Sequence, residues 1–383
     1  MQRCFRVQLS FRVTLIATIS LGVATAQGVR CGQVLTKSTV LSQNLYCQGT
    51  ALYVGAHGIT VDLKGYTVSG DGTGVGIRND GFLPSGYNGA GGYDRVTVRG
   101  GTIQHFDVGL VLGTTSSNSI TNMTIRRMRR NPFGTGIVMT VANDRARVRF
   151  NLIEDNDRGG ISVDGYYCSD RSGDGKPVCI DNRIEENKIY DNARGSGSDV
   201  YYGLQLYLAR GVVANKNEIY GHLDTQSEGV NAAGILIVGS SQNYFSENKL
   251  ENNSHGLLLT DEFLAAGSVS HANTLFKNFG KFNRLQAFEF RPAASATGKL
   301  EENVADDNYG SGFLFLYRGA SNSSPNFSGF SLYQNDCQGS GKWGFAVIST
   351  VDGVYPVPPK NLGENTASSN GASPQCAGFR CTD

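Results

Sequence analysis

The chain has 383 residues and a mass of 41.0 kDa, with 17% charged residues, 39% hydrophobic residues and a net charge of +1. That balance excludes a highly charged disordered chain and a nucleic-acid binder driven by global charge. Its 50 glycines follow no triplet period, which excludes collagen.

The chain opens on a targeting pattern. Arg3, Arg6 and Arg12 precede an apolar run, 13–26, that ends in Ala24-Thr25-Ala26, a small-residue cleavage signature. The run is shorter than the roughly 20 residues needed to cross a bilayer. Residues 1–26 are therefore expected to be a signal peptide, and the mature chain to be secreted, extracellular or periplasmic, with no membrane span. An oxidising compartment permits disulfides. Cys31 with Cys47, Cys168 with Cys179, and Cys376 with Cys381 are close pairs, which leaves Cys337 odd; spacing alone does not decide the connectivity. The lack of a C-x-x-C motif and the 5 histidines argue against zinc.

From residue 76 a phrase recurs: a small residue, then alternating apolar positions. It starts at Gly76, Gly109, Gly136, Gly160, Gly203, Gly234, Gly256, Ala287, Gly312 and Gly344. Successive starts differ by 33, 27, 24, 43, 31, 22, 31, 25 and 32 residues, as for one 22-residue unit with insertions. Between these phrases runs a second one, two Asn residues bracketing a short apolar alternation, as in Asn151–Asn156, Asn187–Asn192, Asn248–Asn253 and Asn303–Asn308. It reads as a short strand closed by an Asn turn, because Asn tolerates the left-handed backbone and its side chain bonds local backbone. Equivalent Asn residues can also bond rung to rung. No stretch sustains a 3.6-residue period, so long helices are not expected.

One such unit cannot bury its apolar side alone. Wound as a coil, each unit pairs with the next and the inward residues stack into one core. The fold class is thus all-β, a single-domain parallel β-helix of about ten rungs. It spans 27–355 with an N-terminal cap near Cys31–Cys47, and 356–383 form a tail folded over the other end. A leucine-rich repeat lacks its L-x-x-L-x-L pattern here, and a propeller needs longer, more even repeats.

The start, with Cys31-Gly32, Cys47-Gln48-Gly49 and the stretch from Gly58 to Gly70, resembles secreted right-handed parallel β-helix proteins of the pectin-lyase-like superfamily, and within it the NosD-like set. Gly100 to Leu110 and the terminal Asn365, Gln375, Cys376 and Cys381 fit it too. The resemblance implies a right-handed coil. It also implies a function among polysaccharide lyases, glycoside hydrolases, C5-epimerases and proteins without activity. The Asp-Pro-His motif of alginate epimerases and the Asn-Thr-Asp and Gly-His-Gly motifs of polygalacturonases are absent, which demotes those two readings.

Strand alternation sends the second and fourth positions of the phrase outward. The second-position column contains Ser162, Gln205, Leu236, Leu258, Glu289 and Leu314; the fourth runs Asp164, Tyr207, Val238, Thr260, Arg291 and Leu316 on the middle and later rungs. Long connections follow the same strands, and Tyr166, Tyr167, Tyr201, Tyr202 and Tyr207 lie within or beside two of them. Tyrosines suit the faces of sugar rings or pack the loops onto the coil. Arginines from 126 to 158 form either an anionic-polysaccharide track or a solvated face balanced by Asp144, Glu154, Asp155 and Asp157.

The partner expected is an extracellular polysaccharide rather than a nucleic acid, met by a monomer. The first reading is a lyase cleaving a uronic-acid polysaccharide by proton abstraction and β-elimination. Its candidate catalytic residues are Tyr207, Arg291, Asp164, Glu289 and Asp261. The substrate would be bound by Tyr166, Tyr167, Tyr201, Tyr202, Gln205, Thr260, Arg318 and His222. Arg291 or Arg318 would neutralise the uronate, and Tyr207, His222 or Lys281 would serve as base. Acidic loop residues could hold Ca²⁺ as cofactor. A hydrolase or C5-epimerase, and a non-catalytic carbohydrate-binding or surface protein, are the alternatives; a hydrolase would draw two carboxylates from Asp164, Asp261, Glu262 and Glu289.

Overall fold

The computed structural model describes residues 28–129, 134–165, 181–192, 200–223, 232–261, 269–291, 296–318, 326–351 and 353–382. The expected signal peptide, Tyr166, Tyr167, Cys168, Cys179 and Glu262 lie outside them. Among the described residues there is no helix, and short parallel strands stack into three faces of one coil. The front face is a sheet of thirteen strands among the described residues. All ten recurrences of the phrase lie on it, for example along Gly159–Asp164, Tyr201–Tyr207, Ala232–Val238, His255–Thr260 and Phe288–Arg291. The second face includes Arg147–Arg149, Arg183–Glu185, Val213–Asn215 and Tyr244–Ser246. The third includes Leu152–Glu154, Lys188–Tyr190, Glu218–Tyr220 and Lys249–Glu251, the strands bracketed by the paired Asn residues.

The core lies inside the coil, and its composition changes along the axis. In the middle rungs Ile161, Leu204, Ile235 and Leu257 on the front face oppose Ile153, Ile189, Ile219 and Leu250 on the third, all fully buried. In the later rungs the front face turns to phenylalanine. Phe288, Phe313 and Phe345 stack with ring centroids 4.9 and 4.7 Å apart, and Phe290 stacks on Phe315 at 4.7 Å. The third-face column shrinks in step, to Gly280, Ala305, Cys337 and Ala367. Large residues on one wall are thus matched by small ones on the other, as close packing requires.

The small residue that opens each phrase has a steric cause. A Cβ on Gly203 would lie 2.7 Å from the carbonyl oxygen of Gly234 on the next rung, and one on Gly160 would lie 2.5 Å from that of Gly203. The exception, Ala287, fits because Gly280 faces it: a Cβ on Gly280 would lie 2.7 Å from that of Ala287.

Two Asn ladders climb the coil. In the longer, Nδ2 of Asn151 donates to Oδ1 of Asn187 at 3.0 Å, and the pattern repeats through Asn217, Asn248, Asn278, Asn303, Asn335 and Asn365. Each Nδ2 also donates to a strand carbonyl two rungs back relative to its acceptor, such as Ile184 for Asn217, and each Oδ1 accepts the backbone N–H of the Asn below. Every amide along this ladder is thereby satisfied. The left-handed turn residue is not the Asn, as expected from its tolerance, but the residue before it. Glu186, Lys216, Glu247, Lys277 and Glu302 have φ of 54°, 53°, 52°, 54° and 51°. Their side chains point to solvent, so residue type matters little there, whereas the inward position needs an amide.

Disulfides join Cys31 to Cys47 and Cys376 to Cys381, and Cys337 is a free, buried thiol. The stretch beyond residue 356 is set apart by composition yet still adds strands to all three faces: Lys360–Asn361, Thr366–Ser368 and Cys376–Ala377 pair with the rung below. Phe379 stacks on Phe345 at 5.4 Å.

Candidate functional site

The register of the front face confirms the outward columns. Asp164 lies opposite Tyr207, which lies opposite Val238, then Thr260, then Arg291. Ser162, Gln205, Leu236, Leu258 and Glu289 run beside them. Two polar regions result, separated by an apolar one. The first is a window on two adjacent rungs. Asp164, Gln205 and Tyr207 are half-buried there, and Ser162, more deeply set, donates through Oγ to Oε1 of Gln205 at 3.4 Å. On the next two rungs Leu236, Val238 and Leu258 are buried and pack with Tyr202, while Tyr207 borders them.

The second polar region is closed. His255 Nδ1 lies 3.0 Å from Oε2 of Glu289, and Arg291 Nε bonds Oε1 of the same carboxylate. The side chains of His255 and Glu289 are each 1% exposed and that of Arg291 3%. Burial alone would push the Glu289 carboxyl up, but His255 and Arg291 outweigh it and hold it down to about 2. The carboxylate is therefore charged and already neutralised. His255 is not among the candidates drawn from the sequence. It precedes Gly256 and stands three residues before Leu258, so strict alternation would send it inward; its place beside Glu289 is a feature of the structure that the pattern does not give.

The remaining candidates divide by burial. Thr260 is fully buried, and Tyr201 and Tyr202 are 3% and 2% exposed, so neither ring offers a face to a ligand. Tyr202 instead covers Gly159 and lies 3.5 Å from Thr135 Oγ1 through its hydroxyl. Asp261 accepts from Gly239 N at 3.1 Å and Ser270 Oγ at 2.7 Å, which makes it a clasp for its own connection. His222 is a rung of the second Asn ladder, not a surface group. It accepts from Asn192 Nδ2 at 3.1 Å and donates from Nδ1 to Asn253 Oδ1 at 2.9 Å, and burial depresses its pKa to about 4. Lys281 bonds Asp306 at 2.6 Å, which raises its pKa against a small desolvation effect. Arg318 is exposed at the end of Phe313–Tyr317.

Distances between rungs decide what can cooperate. Rungs repeat every 4.8 Å or so, which puts Arg291 roughly 14 Å and Arg318 roughly 19 Å along the axis from Tyr207. Tyr207 and Asp164 are brought together; Tyr207 and the two arginines are not. Among the described residues no three His, Cys, Asp or Glu side chains converge as metal ligands. The arginines from 126 to 129 are paired: Arg126 with Glu154 at 3.7 Å, Arg127 with Asp155 at 3.3 Å and Arg129 with Asp157 at 2.6 Å. They are a balanced face.

The sequence profile described as "Right handed beta helix region" matches residues 173–284. Among solved structures, the chain is similar to the catalytic unit of the thermostable GH87 α-1,3-glucanase of Streptomyces thermodiastaticus, with a TM-score of 0.54 and 14% identity over 89% of this chain and 62% of that one. The A-module of the mannuronan C-5 epimerase AlgE4 of Azotobacter vinelandii gives a TM-score of 0.55 and 14% identity over 88% and 85% of the two chains. A tailspike protein of Escherichia coli bacteriophage HK620, in complex with a hexasaccharide, gives 0.54 and 11% over 90% and 60%. The chain thus spans about three fifths of the length of the glucanase unit and of the tailspike. A comparison with curated proteins finds no match. At these identities the likeness is one of fold, and it makes the chain a right-handed parallel β-helix.

Proposed function

We propose that this protein binds an extracellular polysaccharide on its front face, over the window formed by Ser162, Asp164, Gln205 and Tyr207. The observation that carries the reading is that window itself: hydrogen-bonding side chains on two adjacent rungs, bordered by a half-buried tyrosine. An aromatic face beside polar groups suits the apolar face and hydroxyl rim of a sugar. The similar glucanase, epimerase and hexasaccharide-bound tailspike support a carbohydrate ligand.

Cleavage of an acidic glycan is a second reading, favoured by the placement of Asp164 opposite Tyr207. Tyr207 would take the C5 proton of a uronate; the electron pair would form the C4–C5 double bond as the C4–O bond breaks, and the leaving oxygen would take up a proton. The carboxylate needs a cation. Arg291 is already committed to Glu289, and among the described residues no set of acidic or imidazole ligands converges at Asp164, so this reading needs a cation that the window does not itself supply. Hydrolysis is less supported, because Asp261 and Glu289 are both engaged by protein groups.

The test is a titration of the full mature chain with polyuronates and neutral glycans, followed also by the ultraviolet absorbance of unsaturated uronides. Tyr207→Ala is expected to weaken glycan binding about ten-fold, equivalent to ~1.4 kcal/mol. Absorbance that rises and is lost in Tyr207→Phe selects the lyase. Binding without absorbance selects the non-catalytic reading, and no binding to any glycan rejects both.

A further inference from the structure

The second face carries a different opportunity. A groove of about 600 Å³ there is lined by Ser117, Asn118, Ser119, Arg145, Arg147, Asp181 and Arg183. Arg147 lies opposite Arg183 on the next rung, and Arg145 stands two residues before Arg147. Three guanidinium groups therefore border one cavity. With Asp181 in the lining and Glu185 beside Arg183, three cations meet two carboxylates here, an excess of positive charge that the one-to-one pairs of the third face lack. Arg183 bonds Glu185 at 3.2 Å, Arg145 donates to Ser116 Oγ at 3.3 Å, and all three are exposed.

A break in the Asn pattern coincides with the groove. Asn118 is 2% exposed, and its Oδ1 accepts the N–H of Val96 at 2.8 Å. At the equivalent place on the next rung stands Ala146, whose N–H bonds Asn182 Oδ1 at 3.0 Å. With no amide oxygen at that position, Asn118 Nδ2 is a buried donor without a partner. Around the groove itself, three guanidinium groups and the hydroxyls of Ser117 and Ser119 surround a single lining carboxylate, Asp181.

We propose that this groove is a site for the oxyanions of an acidic polysaccharide, the sulfate or carboxylate groups that arginine grips through paired N–H donors. The site is separate from the front-face window and stands whether or not the window binds sugar. A net charge of +1 makes a glycan anion, met by a local patch, a better match than a nucleic acid held by global charge.

The experiment titrates the full mature chain, at low and moderate salt, with a labelled sulfated disaccharide, a labelled galacturonate oligomer, a neutral glucose oligomer and duplex DNA. Arg147→Ala/Arg183→Ala is expected to weaken the acidic probes at least ten-fold and to flatten their salt dependence. Arg126→Ala/Arg127→Ala, on the balanced face, is expected to change them less than two-fold. Which acidic probe binds tighter assigns sulfate or carboxylate. The proposal is overturned if both double variants lose equally, if neither loses, if the neutral oligomer binds as well, or if DNA is preferred and lost with the same residues. Tyr207→Ala, run alongside, reports on the window alone, so the two sites fail separately.

Discussion

The middle rungs and the later rungs solve one packing problem in two ways. From Ile161 to Leu257 the coil is filled by aliphatic side chains of similar size on opposite walls. From Phe288 onward a stack of aromatic rings on the front wall meets Gly280, Ala305, Cys337 and Ala367 on the other. Backbone register and Asn ladders continue unchanged across the boundary. The repeat therefore constrains the summed volume of a rung rather than the residue at any position. That is why a search for one consensus motif sees the phrase blur at Ala287.

If the aromatic stack is a cooperative unit, its central ring should matter most. Phe313→Ala is expected to lose about 3–5 kcal/mol in denaturant unfolding, against about 2–4 kcal/mol for Ile219→Ala in the aliphatic rungs. Equal losses would show that the rings act only through their buried area.

The next largest effect separates the two regions by pH. His222, in the middle rungs, must be neutral to accept from Asn192 while donating to Asn253. Its folded pKa of about 4 lies below the ordinary 6.5. The unfolded chain thus binds more protons between these values. Stability is full above pH 6.5 and falls as pH drops towards 4, by about 3 kcal/mol in total. His222→Asn should remove that slope, because an amide fills the ladder without titrating. Glu289, in the later rungs, acts in a lower window. Its depressed pKa contributes stability present above pH 4.5 and lost towards pH 2. An unfolding series from pH 7 to pH 3 on both His222→Asn and Glu289→Gln would resolve the two windows.

Volume exchange between walls predicts a coupled pair. Gly280→Leu should overfill the rung of Ala287 and cost about 1–3 kcal/mol. Combined with Ala287→Gly it should cost less than the sum of the two single changes, because the groups meet at that point. Additive losses would remove the compensation argument. The smallest effect is expected at Cys337, buried beside Ala305 and Ala367 with its thiol pushed up to about 12 by burial. Cys337→Ala should lose about 1 kcal/mol and leave the thiol count lower by one without altering the disulfides.

Much of this architecture could be read from the chain. The ten phrase starts all became front-face strands, and the bracketing Asn pairs marked the third face. The ladder position of His222 was also readable: it lies 30 residues after Asn192 and 31 before Asn253, the spacing of an Asn rung. It was missed because histidine suggests chemistry before it suggests an amide substitute. Burial of the outward columns was not readable. Alternation says which way Glu289 and Arg291 point, but not that this side of the sheet is itself covered there. Nor could spacing show that charged residues such as Glu186 and Lys216 take the left-handed turn, since that choice follows from the inward demand of the next residue.

The long ladder has a direction. Each amide gives its hydrogen upward and takes one from below, so the side chains form a single file of aligned dipoles parallel to the axis. A whole step of the staircase can be duplicated without disturbing that file, since both of its ends present complementary groups. A one-residue insertion within a step reverses which side chains face inward and severs the file. Growth or shrinkage of such a protein by entire turns is therefore the change its polarity permits.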